Sequence, residues 1–339
     1  MKIALLLFLL LIMVSGILTA QELLPIRPHN QWASFMGSLK SCSDYLGFGY
    51  SSAWINGVTG HAFLLNMHPV VCPSGPVAFE HDFILANAES LGLSFTSIKA
   101  HKTNPEFKEL QKEAFDATQK ALADNKPVFG WELNIPEYYL IIGTDDNGYL
   151  YYDFDGSVGH KPWDELGESD IGLLTIYIVS SLEREPDRRE QVHTALDFFN
   201  DYHTNPEQYA YEGYTQGSRG YDVWIEALSE DKADPWGLAY NTQVWRAERI
   251  NGLNFLEEIK SVLGDKDNYE DLDIAINEYR MVVNKLSEIS GFYPFPPQKD
   301  KISEADVNQT VPLLRAARDS EIRGIEAVTR FRSHFNRVK

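Results

Sequence analysis

Between Lys126 and Ser157 the chain reads KPVFGWELNIPEYYLIIGTDDNGYLYYDFDGS, and a β-sheet is the regular structure that suits it. Three short runs rich in β-branched and aromatic residues, Val128 to Leu133, Tyr138 to Gly143 and Tyr149 to Phe154, are divided by turn residues. Asn147-Gly148 between the second and third predicts a two-residue hairpin of type I′, which needs positive φ at both central positions. Tyr138-Tyr139-Leu140-Ile141-Ile142 is apolar at successive positions, so both its faces are covered and it reads as a central strand of an antiparallel sheet. Acids gather at the strand ends: Glu137 before the middle run, Asp145 and Asp146 after it, Asp153 and Asp155 leaving the last.

The flanks divide the chain further. Lys2, an apolar run from Ile3 to Val14 and the small-residue exit Thr19-Ala20 have the layout of a cleavable secretory signal over 1–20, which predicts a secreted or periplasmic protein. No later stretch is long and apolar enough to cross a membrane. The net charge of −19 argues against nucleic acid and anionic lipid surfaces as partners, and is ordinary for solubility outside the cell. The two cysteines, Cys42 and Cys72, read either as one disulfide in an oxidising compartment or as two buried thiols. His68 precedes Cys72 at a ligand-like spacing, but nothing beside Cys42 completes a zinc site, so no metal and no cofactor is expected.

From Trp32 to Tyr45 the apolar residues recur at three- and four-residue steps, predicting an amphipathic helix that Gly47 ends. A short helix from Ser51 breaks at Gly57-Val58-Thr59-Gly60, and Ala62 to Leu65 then looks strand-like. Ala78 to Leu91 reads as helix, Leu93 to Ala100 as strand, Pro105 to Asp124 as helix and Gly172 to Val179 as the last strand. Beyond Leu182 helical periods dominate: Glu185 to Tyr202, Tyr221 to Leu228, Trp236 to Leu263, Tyr269 to Ile289 and Val311 to Phe335. The expected architecture is therefore an α+β domain over 24–181 followed by an all-α bundle over 182–336. Trp224, Trp236 and Trp245 at helical positions read as core rather than as a carbohydrate platform.

Several segments carry a resemblance. Tyr45-Leu46-Gly47 closes the first helix, and Glu137-Tyr138-Tyr139-Leu140-Ile141-Ile142-Gly143-Thr144-Asp145 is followed by Asn147-Gly148 and Tyr151-Tyr152-Asp153. These resemble the bacteriocin-processing papain-like cysteine peptidases, where a nucleophilic cysteine opens a helix, a catalytic histidine opens a strand and the next strand closes on an acid. Together with Tyr50-Ser51-Ser52-Ala53-Trp54 and Gly57-Val58-Thr59-Gly60-His61-Ala62-Phe63, they look more like the N-terminal domain of the butirosin-biosynthesis acyltransferase family. The resemblance covers about residues 30–180 and implies a papain-like domain and acyl-transfer or amide-hydrolysis chemistry on a peptide or small-molecule acyl substrate. It puts Ser34 at the cysteine position, Glu137 at the histidine position and Asp153 at that of the orienting acid.

Two of those positions have changed type, and the chemistry changes with them. A thiol–imidazole pair works because the imidazole lowers the thiol pKa and takes its proton near neutral pH. Ser34 with Glu137 has no matched base unless burial raises the carboxyl pKa. His61 reads as a replacement base brought over Ser34 by the glycine-rich turn, or as a structural histidine bonding the loop backbone. Cys72, in Cys-Pro-Ser-Gly-Pro, reads as a nucleophile on a tight turn, or as a structural cysteine. Ser34 itself reads equally as a helix-start residue, Glu137 as a solvated strand end, and Asp153 with Asp155 as a weak cation pair. Three functions follow: a divergent or degraded acyltransferase or amide hydrolase, a non-catalytic binding module for a peptide or small ligand, and a structural envelope protein. The helical half carries no chemical signal and reads equally as a lid or a dimer surface.

Overall fold

The computed structural model describes residues 23–183, 187–264, 269–298 and 300–335; the secretory signal expected over 1–20 lies outside them. The fold is α+β, an antiparallel sheet with several helices. In chain order come α1 (Ser34–Tyr45), α2 (Ser52–Val58), β1 (Asn66–Met67), α3 (Asp82–Ala88), β2 (Leu93–His101) and α4 (Phe107–Ala123). Strands β3 (Val128–Trp131), β4 (Tyr138–Thr144), β5 (Gly148–Tyr152), β6 (Val158–Pro162) and β7 (Leu173–Ser181) follow. The rest is α5 (Arg188–Thr204), β8 (Thr215–Gln216), α6 (Arg219–Ser229), α7 (Pro235–Leu263), α8 (Glu270–Phe292) and α9 (Glu304–Phe335). Among the described residues no helix is long and apolar enough to cross a membrane.

Contacts gather the described residues into two compact units, each built from separate stretches: those within 23–28 with 96–178, and those within 29–95 with 179–335. The change of character expected near Leu182 is thus joined by two earlier ones, and α1 belongs with the helical stretch. That stretch is not purely helical. Its β8 pairs antiparallel with β1, Asn66 opposite Gln216 and Met67 opposite Thr215.

In the first unit the sheet runs in the order β2-β7-β3-β4-β5-β6. The central place given to the apolar run from its sequence holds: every residue of β4 is buried, and it pairs antiparallel with β3 and β5. Helix α4 covers the sheet because Phe107, Gln111, Ala114, Phe115, Thr118, Ala121 and Leu122 fall on one stripe, with the Phe115 ring 5.3 Å from that of Tyr149.

The β4–β5 turn departs from the type I′ expectation. Neither Asn147 nor Gly148 has positive φ. The Asp145 N–H donates to the Gly148 carbonyl at 3.0 Å, and Asp145 Oδ1 accepts from the N–H groups of Asn147 (2.8 Å) and Gly148 (2.9 Å). The side chain of Asp145 supplies the turn that Asn-Gly was expected to supply by backbone conformation. Gly148 is needed for a different reason: a Cβ there would lie 2.1 Å from the Lys161 carbonyl oxygen on β6.

In the second unit three expectations shift. The strand-like run from Ala62 to Leu65 is a 3₁₀ turn, His61–Phe63, leading to β1. Its apolar residues are continuous because helices surround them, not because a sheet does; the Phe63 ring meets those of Phe199 at 4.8 Å and Tyr279 at 5.5 Å. The helix expected from Ala78 starts at Asp82. Helix α9 starts at Glu304 and carries Pro312 inside it, although a proline there predicts a helix start. Two residues before the proline, Thr310 is buried and its hydroxyl lies 3.0 Å from that of Tyr293.

Helix α7 is the axis of this unit. Asp234 caps it by accepting from the Gly237 N–H at 2.5 Å, and Pro235 occupies its first turn. Gly57 of α2 lets the Phe255 ring of α7 close in, for a Cβ at Gly57 would fall 2.0 Å from that ring.

Candidate functional site

The residues singled out in the sequence fall in different units. Ser34, His61 and Cys72 lie in the unit of 29–95 and 179–335; Glu137 and Asp153 lie in the other.

Ser34 is the first residue of α1, and Ala33 before it provides no side-chain cap. It is buried, as is every residue from there to Ser43, including Ser38, Lys40, Ser41 and Ser43. A helix buried on all sides with so polar a sequence gains by satisfying its hydroxyls locally. Ser41 does so, donating to the Gly37 carbonyl and accepting from the His29 N–H, each at 2.8 Å. Ser43 Oγ, enclosed without a partner, is an exception. Lys40, buried, meets Asp44, which also takes His29 Nε2 at 2.8 Å.

In the sheet unit the two acids come near one another around Tyr139. Glu137 is half-buried; its N–H donates to the Ile135 carbonyl at 2.7 Å and its carbonyl accepts from the Glu132 N–H at 2.8 Å. Asp153 Oδ2 accepts from Asn134 Nδ2 at 2.8 Å and Oδ1 from the Phe154 N–H at 2.7 Å. The Tyr139 hydroxyl accepts from the Ile135 N–H at 3.2 Å. Burial pushes its pKa above the ordinary phenol range, the Ile135 bond pulls it back, and the charges of Asp153 and Glu137 add to the rise. Asp155 is occupied by its own turn, Oδ1 accepting from the Ser157 N–H at 2.8 Å. Among the described residues no group of three or more His, Cys, Asp or Glu side chains is placed to hold a metal ion.

His61 is engaged elsewhere than at Ser34. It is 1% exposed and its Nδ1 stands 3.1 Å from Glu248 Oε2 of α7, an ion-pair distance without hydrogen-bond alignment. The next residue, Arg249, holds the same turn from the other side: Nη1 donates to the carbonyls of Ala62 (3.2 Å) and Leu64 (2.6 Å). Arg249 also forms a two-pronged pair with Glu321 of α9, Nε to Oε2 at 2.8 Å and Nη2 to Oε1 at 2.6 Å, and the Tyr221 hydroxyl donates to Glu321 at 2.6 Å. Sealed in this way, His61 is not open to solvent.

The cysteines are both free. Cys42 is fully buried in α1, and burial pushes its thiol pKa far above the ordinary value, leaving it inert. Cys72 is half-buried at the Cys72–Gly75 turn; Ser74 Oγ donates to its sulfur at 3.0 Å and lies 2.7 Å from the Tyr214 hydroxyl.

Sequence reasoning did not reach the partners of these residues. Asn134 and Glu248 carry no motif, and only the third dimension pairs them with Asp153 and His61. It also misplaced one aromatic residue: Trp224 and Trp245 are fully buried as expected, but Trp236 is 50% exposed. In comparison with known proteins, no family model and no curated protein matches this chain.

Proposed function

We propose that the protein is a non-catalytic binding module on a papain-like scaffold, one whose catalytic set has been replaced by structural contacts. The observation that carries this reading is Asp153. Both of its carboxylate oxygens are engaged, by Asn134 and by the Phe154 N–H, and the residue it would orient is a carboxylate, Glu137, instead of an imidazole. An acid that holds its own turn, beside a second acid, neither activates a serine nor steadies a base. The ligand class in keeping with the scaffold is a peptide or a small acyl-bearing molecule.

A second reading has one observation in its favour. Cys72 is the one partly accessible thiol of the chain, and Ser74 Oγ donates to its sulfur at 3.0 Å. On that reading Cys72 is a nucleophile in an enzyme unrelated to the Ser34 position.

Activity-based labelling separates the readings. The purified protein, with Ser34→Ala and Cys72→Ala variants, is treated with a fluorophosphonate and with an epoxysuccinyl probe and mapped by mass spectrometry. The binding module gives no stoichiometric adduct at either position, while an N-acyl dipeptide raises the thermal midpoint through preferential binding to the native state. A fluorophosphonate adduct on Ser34 that disappears in Ser34→Ala overturns the proposal. An epoxysuccinyl adduct on Cys72 establishes the second reading.

A further inference from the structure

The surface around Trp236 belongs to no function assigned so far. Trp236, in the first turn of α7, is 50% exposed, and Trp32, ahead of α1, is 36% exposed. Both indoles pack on Phe295, Trp32 at 5.5 Å between centroids and 89° between planes, Trp236 at 5.0 Å and 70°. Tyr240, one turn along α7, completes the cluster at 5.7 Å from Phe295 and 6.4 Å from Trp32, and its hydroxyl donates to the Trp32 carbonyl at 3.4 Å. All of these rings belong to one compact unit. The steep angles prevent the rings from closing into a single slab, so indole surface stays in water on either side of a fixed Phe295. Burying these faces inward would stabilise the fold, so leaving them out needs a reason.

The charge pattern narrows what could cover them. Residues 30–33, 235–240 and 293–298, which carry the rings, contain no Lys, Arg, Asp or Glu; their polar side chains are Asn30, Gln31, Gln298, the Tyr240 hydroxyl and the Tyr293 hydroxyl, the last turned to Thr310. The nearest acid in sequence, Asp234, is spent on the helix cap. In a chain of net charge −19 such a neutral patch is distinctive. A phosphate, a sulfate or a basic peptide would find no counter-charge. What complements flat apolar faces rimmed by amides and a hydroxyl is an uncharged ligand that is itself flat and apolar on its faces and rich in hydroxyls at its edge.

We propose that Trp32, Trp236 and Phe295 form a platform for neutral saccharide rings, with the exposed amides of Asn30 and Gln298 meeting the equatorial hydroxyls, while Gln31 is held by Asn56 and Met36. The platform is independent of Ser34 and of Asp153, so it stands or falls apart from the binding-module reading.

The test is titration of the full protein with cellohexaose, chitohexaose and xylohexaose, followed by tryptophan fluorescence and calorimetry, on the native chain and on Trp236→Ala and Trp32→Ala. The expected result is saturable binding of at least one hexasaccharide with a blue-shifted emission. Trp236→Ala should weaken it at least tenfold with the thermal midpoint held, and Trp32→Ala less. Ser34→Ala should bind as the native chain does. No binding of any hexasaccharide at millimolar concentration overturns the proposal, as does binding that survives both tryptophan changes. Decaproline or phosphatidylcholine vesicles shifting the emission where the sugars do not would reassign the surface to a peptide or a lipid and equally overturn it.

Discussion

The two units differ in what their cores enclose. In the sheet unit the centre is apolar: Val128, Phe129, Ile141, Leu174 and Ile176 are fully buried, and carboxylates such as Asp145 and Asp153 stand at the edges, each tied into a turn. The helical unit has an apolar core as well, with Trp54, Trp224, Trp245, Leu238 and Leu286 fully buried, but it encloses an ionic cluster: Arg249, Glu321, Glu248 and His61 are at most 1% exposed, and they join α6, α7, α9 and the 61–63 turn. An apolar core is non-directional and tolerates small changes of shape; a buried ion pair is stable only while every charge keeps its partner. The first kind of core resists substitution gradually and the second abruptly.

The largest expected effect tests that contrast. Glu321→Ala leaves the Arg249 guanidinium buried without its carboxylate and should destabilise the protein by about 3–5 kcal/mol in urea unfolding. Replacing both charges together, Arg249→Met with Glu321→Leu, should recover most of that loss. If the single change costs under ~1 kcal/mol, the core is not ionic in the energetic sense and the contrast fails.

His203 sharpens the same contrast through pH. Its ring keeps some exposed surface, but Nε2 is enclosed without a partner, and burial, with Arg249 adding, pushes its pKa down to about 3. The unfolded chain protonates this ring near pH 6.5 and the native state does not until about pH 3, so between those values the unfolded state holds more protons. Stability must therefore fall as pH drops below about 6.5. Between pH 6.5 and 4.5 the loss should be about 2 kcal/mol, below the ceiling of ~1.4 per pH unit because the ring is partly wet. His203→Gln should flatten that limb; an unchanged slope assigns the acid sensitivity to other groups.

How much of this was legible in the chain follows from the same difference. A strand buried on both faces writes itself as an unbroken apolar run, and Tyr138 to Ile142 does so. The ionic core writes nothing, because a glutamate at an inward helix position looks like one on a solvated face. Glu321 and Arg249 are 72 residues apart, and no local period pairs them. The partners of the candidate residues were not legible. Asp153 kept the expected identity, yet its role depends on Asn134; His61 kept a reactive side chain, yet Glu248 encloses it. Trp236 was misread because it lies in the first turn of α7, where the periodic stripe has not yet committed the helix to its inward face.

In the sheet core a trimmed methyl group should cost little by comparison. Ile141 is fully buried and paired with Val128 on β3. Ile141→Val should lower stability by about 1 kcal/mol, with the unfolding slope unchanged. A loss near that of Glu321→Ala would mean that the sheet is packed as unforgivingly as the ionic cluster, and the gradual-against-abrupt distinction would go.

The smallest effect concerns the turn that the sequence advertised most loudly. Were it a type I′ turn, Asn147 would be needed for its positive φ, and Asn147→Ala would strain the hairpin. With Asp145 holding the turn through its side chain and Asn147 at negative φ, Asn147→Ala should change stability by less than ~0.5 kcal/mol. Asp145→Ala should cost about 1 kcal/mol, since it removes the acceptor for two backbone N–H groups. Asp145 is also held below the usual carboxylate range, chiefly by the Asn147 N–H, so the difference between the two variants should shrink as acid protonates it. The reverse order, with Asn147 the costlier change, would return the hairpin to backbone conformation and remove the side-chain account of the turn.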